Sequence, residues 1–244
     1  INSWTNINKL PVFITATCEF SRWDDPARTS SGEKILLSAT GGGVALFSTT
    51  RLVFASSNEV LNRALIKFMF DDPTYRLGDI MVASKTDPGN LNLNTRNFSL
   101  LGDPALRLHY PKFNIEATQI NTQPIIALND TLSSLEKVTI AGRIVKGGQL
   151  QSDFNGFMYP TVYDKASSIT MLRNDASSPN ITFKLQKNIL YKGKATVKNG
   201  EWSFTFIVPK DISYQFGLGK LSFYAENGVE DGAGYFDSIV VGGS

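Results

Sequence analysis

The chain changes character once, at Pro111, and that change limits its architecture more than any other feature. Before it, short apolar runs alternate with stretches of helical periodicity. After it, strand-like segments recur with turn signals between them and almost no helical spacing. At 244 residues the length suits one large domain or two ordinary ones. The expectation is an α/β domain over residues 1–111 followed by an all-β domain over residues 112–244.

The first half opens with an apolar, β-branched run, residues 12–17, that reads as a buried strand. Cys18, the chain's one cysteine, stands where that run ends and polar residues begin. Ser30 and Glu33 have capping-box spacing ahead of a short helix near residues 34–38. Gly41-Gly42-Gly43 then turns the backbone into a second apolar strand, residues 44–50. Strand, crossover helix and strand make a βαβ unit, hence a parallel sheet. Arg51 follows the second strand as Cys18 follows the first, so both are expected at the carboxyl edge, where α/β sheets collect functional groups.

Ser56 and Glu59 repeat the capping-box spacing, and Val60, Leu61, Ala64, Leu65, Phe68 and Met69 recur at helical intervals. A helix over residues 57–70 is expected, with that stripe as core. Another helix is expected from about Leu77 to Lys85, capped near Asp79. Gly102-Asp103-Pro104 reads as a tight turn before a last strand, residues 106–110.

Chemistry is sparse. A single cysteine excludes an internal disulfide and any multi-cysteine zinc site. One histidine, His109, closes off the common His-rich metal sites and is read as structural. A thiol at a strand end is placed to act as a nucleophile, provided a base reaches it; the bland alternative is a packed small hydrophobe. Glu19, Asp24 and Asp25 form an acidic cluster behind Cys18. They are open to orienting a base, to binding a basic substrate residue, or to no role beyond a solvated turn. Hard cations want six to eight oxygens, so a structural calcium is not supported by the spacing here, nor in the acidic turn at Asn227–Gly232, and no cofactor is expected. Arg51 is suited equally to a substrate carboxylate and to pairing with one of these acids.

The net charge of +2 is too small to argue for nucleic acid. No run of about 18 apolar residues occurs, so no transmembrane segment is expected. The chain starts at Ile1 and runs quickly into a strand, without a leader, so it reads as a piece of a longer protein.

In the second half, residues 114–120, 137–145, 157–163, 189–197, 201–208, 220–226 and 234–241 all read as strands. Seven short strands suggest an Ig-like β-sandwich. Asn199-Gly200 between alternating strands is a type I′ hairpin signature. Trp202, Phe204 and Phe206 share one face at period two and are expected to point into the core.

Three segments, TATCEFSRWDD, GGGVALFSTTR and LLGDPALRL, stand in that order over about 100 residues. Together they resemble the gingipain-like cysteine peptidases. FNGFMYPTVYDK and FIVPKDISYQFGLGKLSFYA extend the likeness toward the sortase branch of that family, which serves type IX secretion. The resemblance implies the C-terminal portion of a caspase-like domain before the β-sandwich, with Cys18 as nucleophile and a histidine on an earlier strand as base. None of the 17 residues before Cys18 is histidine, so the chain alone is expected to be inactive. It further implies protein or peptide substrates such as C-terminal secretion signals, contact with other cell-surface secretion components, and a place on the extracellular face of the bacterial outer membrane. The alternatives are a non-catalytic caspase-like scaffold and a cell-surface module that binds through its β-sandwich.

Overall fold

The computed structural model describes residues 1, 3–125 and 131–243. The chain separates into two compact units, Ile1–Tyr110 and Pro111–Ser244.

The first unit contains β1 (Val12–Ile14), α1 (Ser31–Leu36), β2 (Ala45–Thr49), α2 (Ala55–Asp71), α3 (Leu77–Thr86), α4 (Leu93–Arg96) and β3 (Phe98–Gly102). Its sheet has the order β1-β2-β3. β1 and β2 run parallel, pairing Val12 with Ala45 and Ile14 with Phe47, as the βαβ reading requires. β2 is buried at every residue. β1 is shorter than expected and only half-buried, because a strand with one neighbour leaves its other edge open.

α1 starts where the capping box places it. Ser30 Oγ accepts the Glu33 N–H at 3.3 Å and the Glu33 carboxylate accepts the Ser30 N–H at 2.7 Å. These bonds favour the ionised acid and hold the Glu33 carboxyl below its ordinary value. The box expected at Ser56 and Glu59 does not form. α2 begins at Ala55 with Phe54 at the N-cap, and the Phe54 N–H goes instead to Asn94 Oδ1 at 2.7 Å. No side chain caps the first turn of α2; the Asn94 bond instead ties the N-cap residue's own N–H to α4.

The closing strand also differs from expectation. Residues 106–110 form no strand beyond a single bridge between Arg76 and Arg107. The strand is β3, eight residues earlier in the segment, antiparallel to β2 with Phe47 opposite Leu100. Phe98 on β3 is fully buried and joins Leu61, Leu65, Leu77 and Ile80 of α2 and α3 in one core. Burying Phe98 and Leu77 outweighs the alternation at residues 106–110, whose Leu106 and Leu108 only flank that core.

The second unit is built of β4 (Phe113–Ile120), β5 (Gln123–Pro124), β6 (Thr131–Leu132), β7 (Lys137–Lys146), β8 (Gln149–Leu150), β9 (Gly156–Tyr163), β10 (Ser167–Thr170), β11 (Thr182–Leu185), β12 (Ile189–Lys192), β13 (Ala195–Lys198), β14 (Glu201–Ile207), β15 (Gly217–Glu226) and β16 (Asp231–Val241). Six of the predicted strand segments fall on single strands, and the seventh, 189–197, is split into β12 and β13. The Ig-like sandwich expected from them is replaced by one hydrogen-bonded circuit. It runs β4-β16-β15-β9-β13-β14-β7 and returns from β7 to β4. The sheet is therefore closed and barrel-like rather than two separate layers.

The reason lies at β4. It pairs in parallel with β16 and antiparallel with β7, with an irregularity between Ala117 and Gln119. Glycines let the backbones cross closely at this seam. A Cβ on Gly234 would lie 2.0 Å from the Ile115 carbonyl oxygen, and one on Gly142 2.1 Å from that of Glu116. Bulges and glycines are the usual means by which sheets curve and close.

The Asn199-Gly200 turn forms with positive φ at both residues, 53° and 76°, as a type I′ turn requires. Trp202, Phe204 and Phe206 are buried and stack with one another and with Tyr191. β10 and β11 form a separate two-stranded ribbon that the sequence reading did not anticipate.

Candidate active site

β1 ends at Ile14, and residues 15–21 cross the carboxyl end of β2 before the chain turns away. Polar side chains at the end of β2 hold this loop. Ser48 Oγ lies 2.6 Å from Thr15 Oγ1 and accepts the Ser21 hydroxyl at 2.7 Å. Thr49 Oγ1 donates to the Thr17 carbonyl, and the Ser21 N–H donates to the Thr49 carbonyl at 2.9 Å. Ser21, Ser48 and Thr49 are completely buried, so these bonds are shielded from water and strongly directional. Gly32 of α1 sits against the loop, its N–H on the Phe20 carbonyl at 3.0 Å.

Cys18 is at the apex and is exposed. Its Sγ donates to the Val53 carbonyl at 3.4 Å. Glu19 immediately after it adopts φ +49°, a left-handed conformation unusual for a side-chain-bearing residue. That reversal leaves the thiol outside the loop. The Glu19 N–H is used by the Arg51 carbonyl at 3.3 Å; the Cys18 N–H donates to no group among the described residues.

The thiol opens onto a groove of about 890 Å³ between the loop and α2. Ala16, Val53 and Ile66 supply apolar lining, and Asn58 and Asn62 project from successive turns of α2. Asn62 Oδ1 is buried and receives no hydrogen bond among the described residues. The lining contains no histidine.

The predicted acidic cluster is present, and every member has an arginine. Glu19 binds Arg22 at 3.0 Å, Asp25 binds Arg28 at 3.1 Å, and Asp24 receives both terminal nitrogens of Arg51, one at 2.9 Å. The Arg51 hydrogen bond holds the Asp24 carboxyl below its ordinary value, and the same bond raises the Arg51 guanidinium. Of the roles open to Arg51, the structure shows pairing with Asp24. Among the described residues no group of three His, Cys, Asp or Glu side chains gathers to hold a metal. His109 lies exposed in the extended segment after β3.

The structure thus keeps Cys18, Glu19, Asp24, Asp25 and Arg51 at one edge. The sequence reading missed the arginines Arg22 and Arg28, three residues from their acids, and the groove wall from α2. Helical periodicity marks Asn58 and Asn62 as polar neighbours of a core stripe, but nothing local aims them at Cys18. Chemically, the site is a presented thiol in an apolar-walled groove beside a charge-neutralised loop. A thiol with no base beside it is a weak nucleophile at neutral pH.

No helix of the described residues is long and apolar enough to cross a membrane. No curated protein matches the chain. Among solved structures it is similar to dimeric latent PorU from Porphyromonas gingivalis, at 27% identity and a TM-score of 0.49, over 83% of this chain and 20% of that one. It is also similar to the complex of Porphyromonas gingivalis RgpB pro- and mature domains, at 16% identity and a TM-score of 0.39, over 96% of this chain and 48% of that one. The chain therefore spans about a fifth of the length of the first and about half of the second. The unit that carries Cys18 matches, over residues 1–109, the model of peptidase family C25, the gingipain family.

Proposed function

We propose that this chain is the nucleophile-bearing part of a cell-surface cysteine peptidase, a caspase-like half-domain followed by its β domain. Cys18 attacks a scissile peptide carbonyl, the amine leaves with a proton, and the resulting thioester is resolved by water or by an incoming amine. The observation that carries the reading is the presentation of Cys18. Within the span matched by family C25, the single thiol is exposed on a loop clamped by three buried hydroxyl residues and faces a groove of peptide-binding size.

The groove lacks a histidine, so the base comes from outside residues 1–244, on a strand laid along the open edge of β1. The Cys18 N–H, which has no acceptor among the described residues, is suited to the oxyanion that develops on the carbonyl. The acids Glu19, Asp24 and Asp25 hold the loop through their arginines. The substrates that fit this reading are C-terminal secretion signals of exported proteins, handled at the outer face of a bacterial outer membrane.

The test joins residues 1–244 to the preceding segment of the same protein and assays cleavage of a protein ending in such a signal. Cleavage that disappears in Cys18→Ala supports the reading. Cleavage unaffected by Cys18→Ala overturns the nucleophile. Cys18-dependent turnover by residues 1–244 alone overturns the external base. In the isolated chain, iodoacetamide is expected to label native Cys18 nearly as fast as the denatured thiol. Strong native protection would favour the scaffold alternative.

A further inference from the structure

A second cavity in the first unit, about 440 Å³, lies where the segment between α3 and β3 folds back. Lys85 on α3, Asn90 and Asn92 on the connecting turn, and Thr95 and Arg96 on α4 line it. Its volume is within the range of small-ligand sites.

Three features of this cavity are unsatisfied in complementary ways. Asn90 is only 1% exposed. Its Nδ2 donates to the Ser84 carbonyl at 3.0 Å, which fixes the amide's orientation, yet its Oδ1 is buried with no partner. A buried acceptor left unpaired is costly, so such a group points to something that completes it. Lys85 is half-buried, and its ammonium makes a hydrogen bond to the Phe98 carbonyl at 2.5 Å, leaving further N–H donors. Neither Lys85 nor Arg96 has a carboxylate partner among the described residues. Burial pushes the Lys85 ammonium below its ordinary value, as a desolvated cation without a counter-charge should behave.

The cavity therefore offers two cations and one buried neutral acceptor. An ammonium-bearing ligand is disfavoured beside Lys85 and Arg96, and a fully deprotonated anion leaves Asn90 Oδ1 unpaired. We propose that the cavity binds a small phosphate-type oxyanion that retains one O–H, its anionic oxygens on Lys85 and Arg96 and its hydroxyl donating to Asn90 Oδ1. This site is separate from the Cys18 groove and does not depend on the peptidase reading.

The proposal distinguishes two ions of the same shape. At neutral pH inorganic phosphate keeps an O–H and sulfate does not. Calorimetry on the full chain, at matched ionic strength, is expected to show phosphate bound about tenfold more tightly than sulfate, the worth of one hydrogen bond to a buried acceptor. Arg96→Ala, on the surface, should weaken both ions, while Asn90→Ala should remove the preference for phosphate by deleting the buried acceptor. Should Asn90→Ala fail to fold, the phosphate-to-sulfate ratio and Arg96→Ala still decide. Equal affinity for the two ions, no heat at millimolar phosphate, or phosphate binding unchanged in Arg96→Ala would each overturn the proposal and leave a solvent-filled cavity.

Discussion

Ser21 donates its hydroxyl to Ser48 at 2.7 Å across 27 residues of sequence, both side chains wholly buried. Ser48 also meets Thr15 at 2.6 Å. One hydroxyl at the end of β2 thus holds both shoulders of the Cys18 loop.

Removing that hydroxyl strands its partners. Ser48→Ala is expected to destabilise the first unit by about 1–3 kcal/mol, because buried hydroxyls lose their partner with no water to replace it. Denaturant unfolding of purified variant and parent measures this. The Cys18 loop should loosen as well, so native iodoacetamide labelling should change in rate. An unchanged midpoint would mean the pair contributes nothing net.

Gly32 presses on the same residue. A Cβ there would lie 1.9 Å from Ser21 Oγ. Gly32→Ala must displace either α1 or the loop, and overpacking of this kind costs about 1–3 kcal/mol. A thermal melt lowered by several degrees, with altered Cys18 labelling, is the expected result; a melt equal to the parent's would show that the loop yields freely.

Asp24 and Arg51 give the site an acid limb. The Asp24 carboxyl is held below its ordinary value of 3.8, first by its hydrogen bond to Arg51. A depressed folded-state value means the contribution is complete above the ordinary value and is lost as pH falls through the depressed one. Asp24→Asn should therefore be less stable than the parent at neutral pH, and the gap should close on acidification below 3.8. Unfolding midpoints of both proteins across that range test it; a gap independent of pH would show that the ion pair is not its source. Because the pair is exposed, added salt should shrink the difference.

The seam of the closed sheet is the sensitive point of the second unit. A Cβ on Gly234 would sit 2.0 Å from the Ile115 carbonyl oxygen, which no side-chain rotation relieves. Gly234→Ala is expected to cost about 2 kcal/mol or more by forcing β4 away from β16. Circular dichroism melts and amide exchange at Ile115 would register the opening. A variant as stable as the parent would mean the seam has slack.

Several features were legible because they are local. The capping box at Ser30 and Glu33 needs four residues, the Asn199-Gly200 turn needs two, and the Trp202-Phe204-Phe206 face needs only alternation. Others failed where a distant group intervened. Asn94, forty residues on, takes the Phe54 N–H and α2 starts at Ala55, one residue ahead of Ser56. Phe98 draws the last strand to itself because its ring is buried in the core formed with β2, α2 and α3. The closure of β4 onto β7 and β16 depends on which backbones approach, for β16 across more than a hundred residues, and strand propensity carries no such information.

By itself the sequence determined that a short apolar strand precedes Cys18, though not that it ends at Ile14, that a parallel βαβ pair carries Cys18 and Arg51 to one edge, and that an all-β unit follows Pro111. These follow from periodicity, capping chemistry and turn residues, which act between near neighbours. Only the tertiary structure decided that the acids behind Cys18 are neutralised one by one by arginines, that two buried serines hold the thiol outward, that α2 supplies the groove wall, and that the second unit's sheet closes on itself. Apart from the Glu19–Arg22 and Asp25–Arg28 pairs, which span three residues each but need the folded loop to meet, these rest on contacts between residues far apart in the chain, whose free energy exists only once the backbone has brought them together.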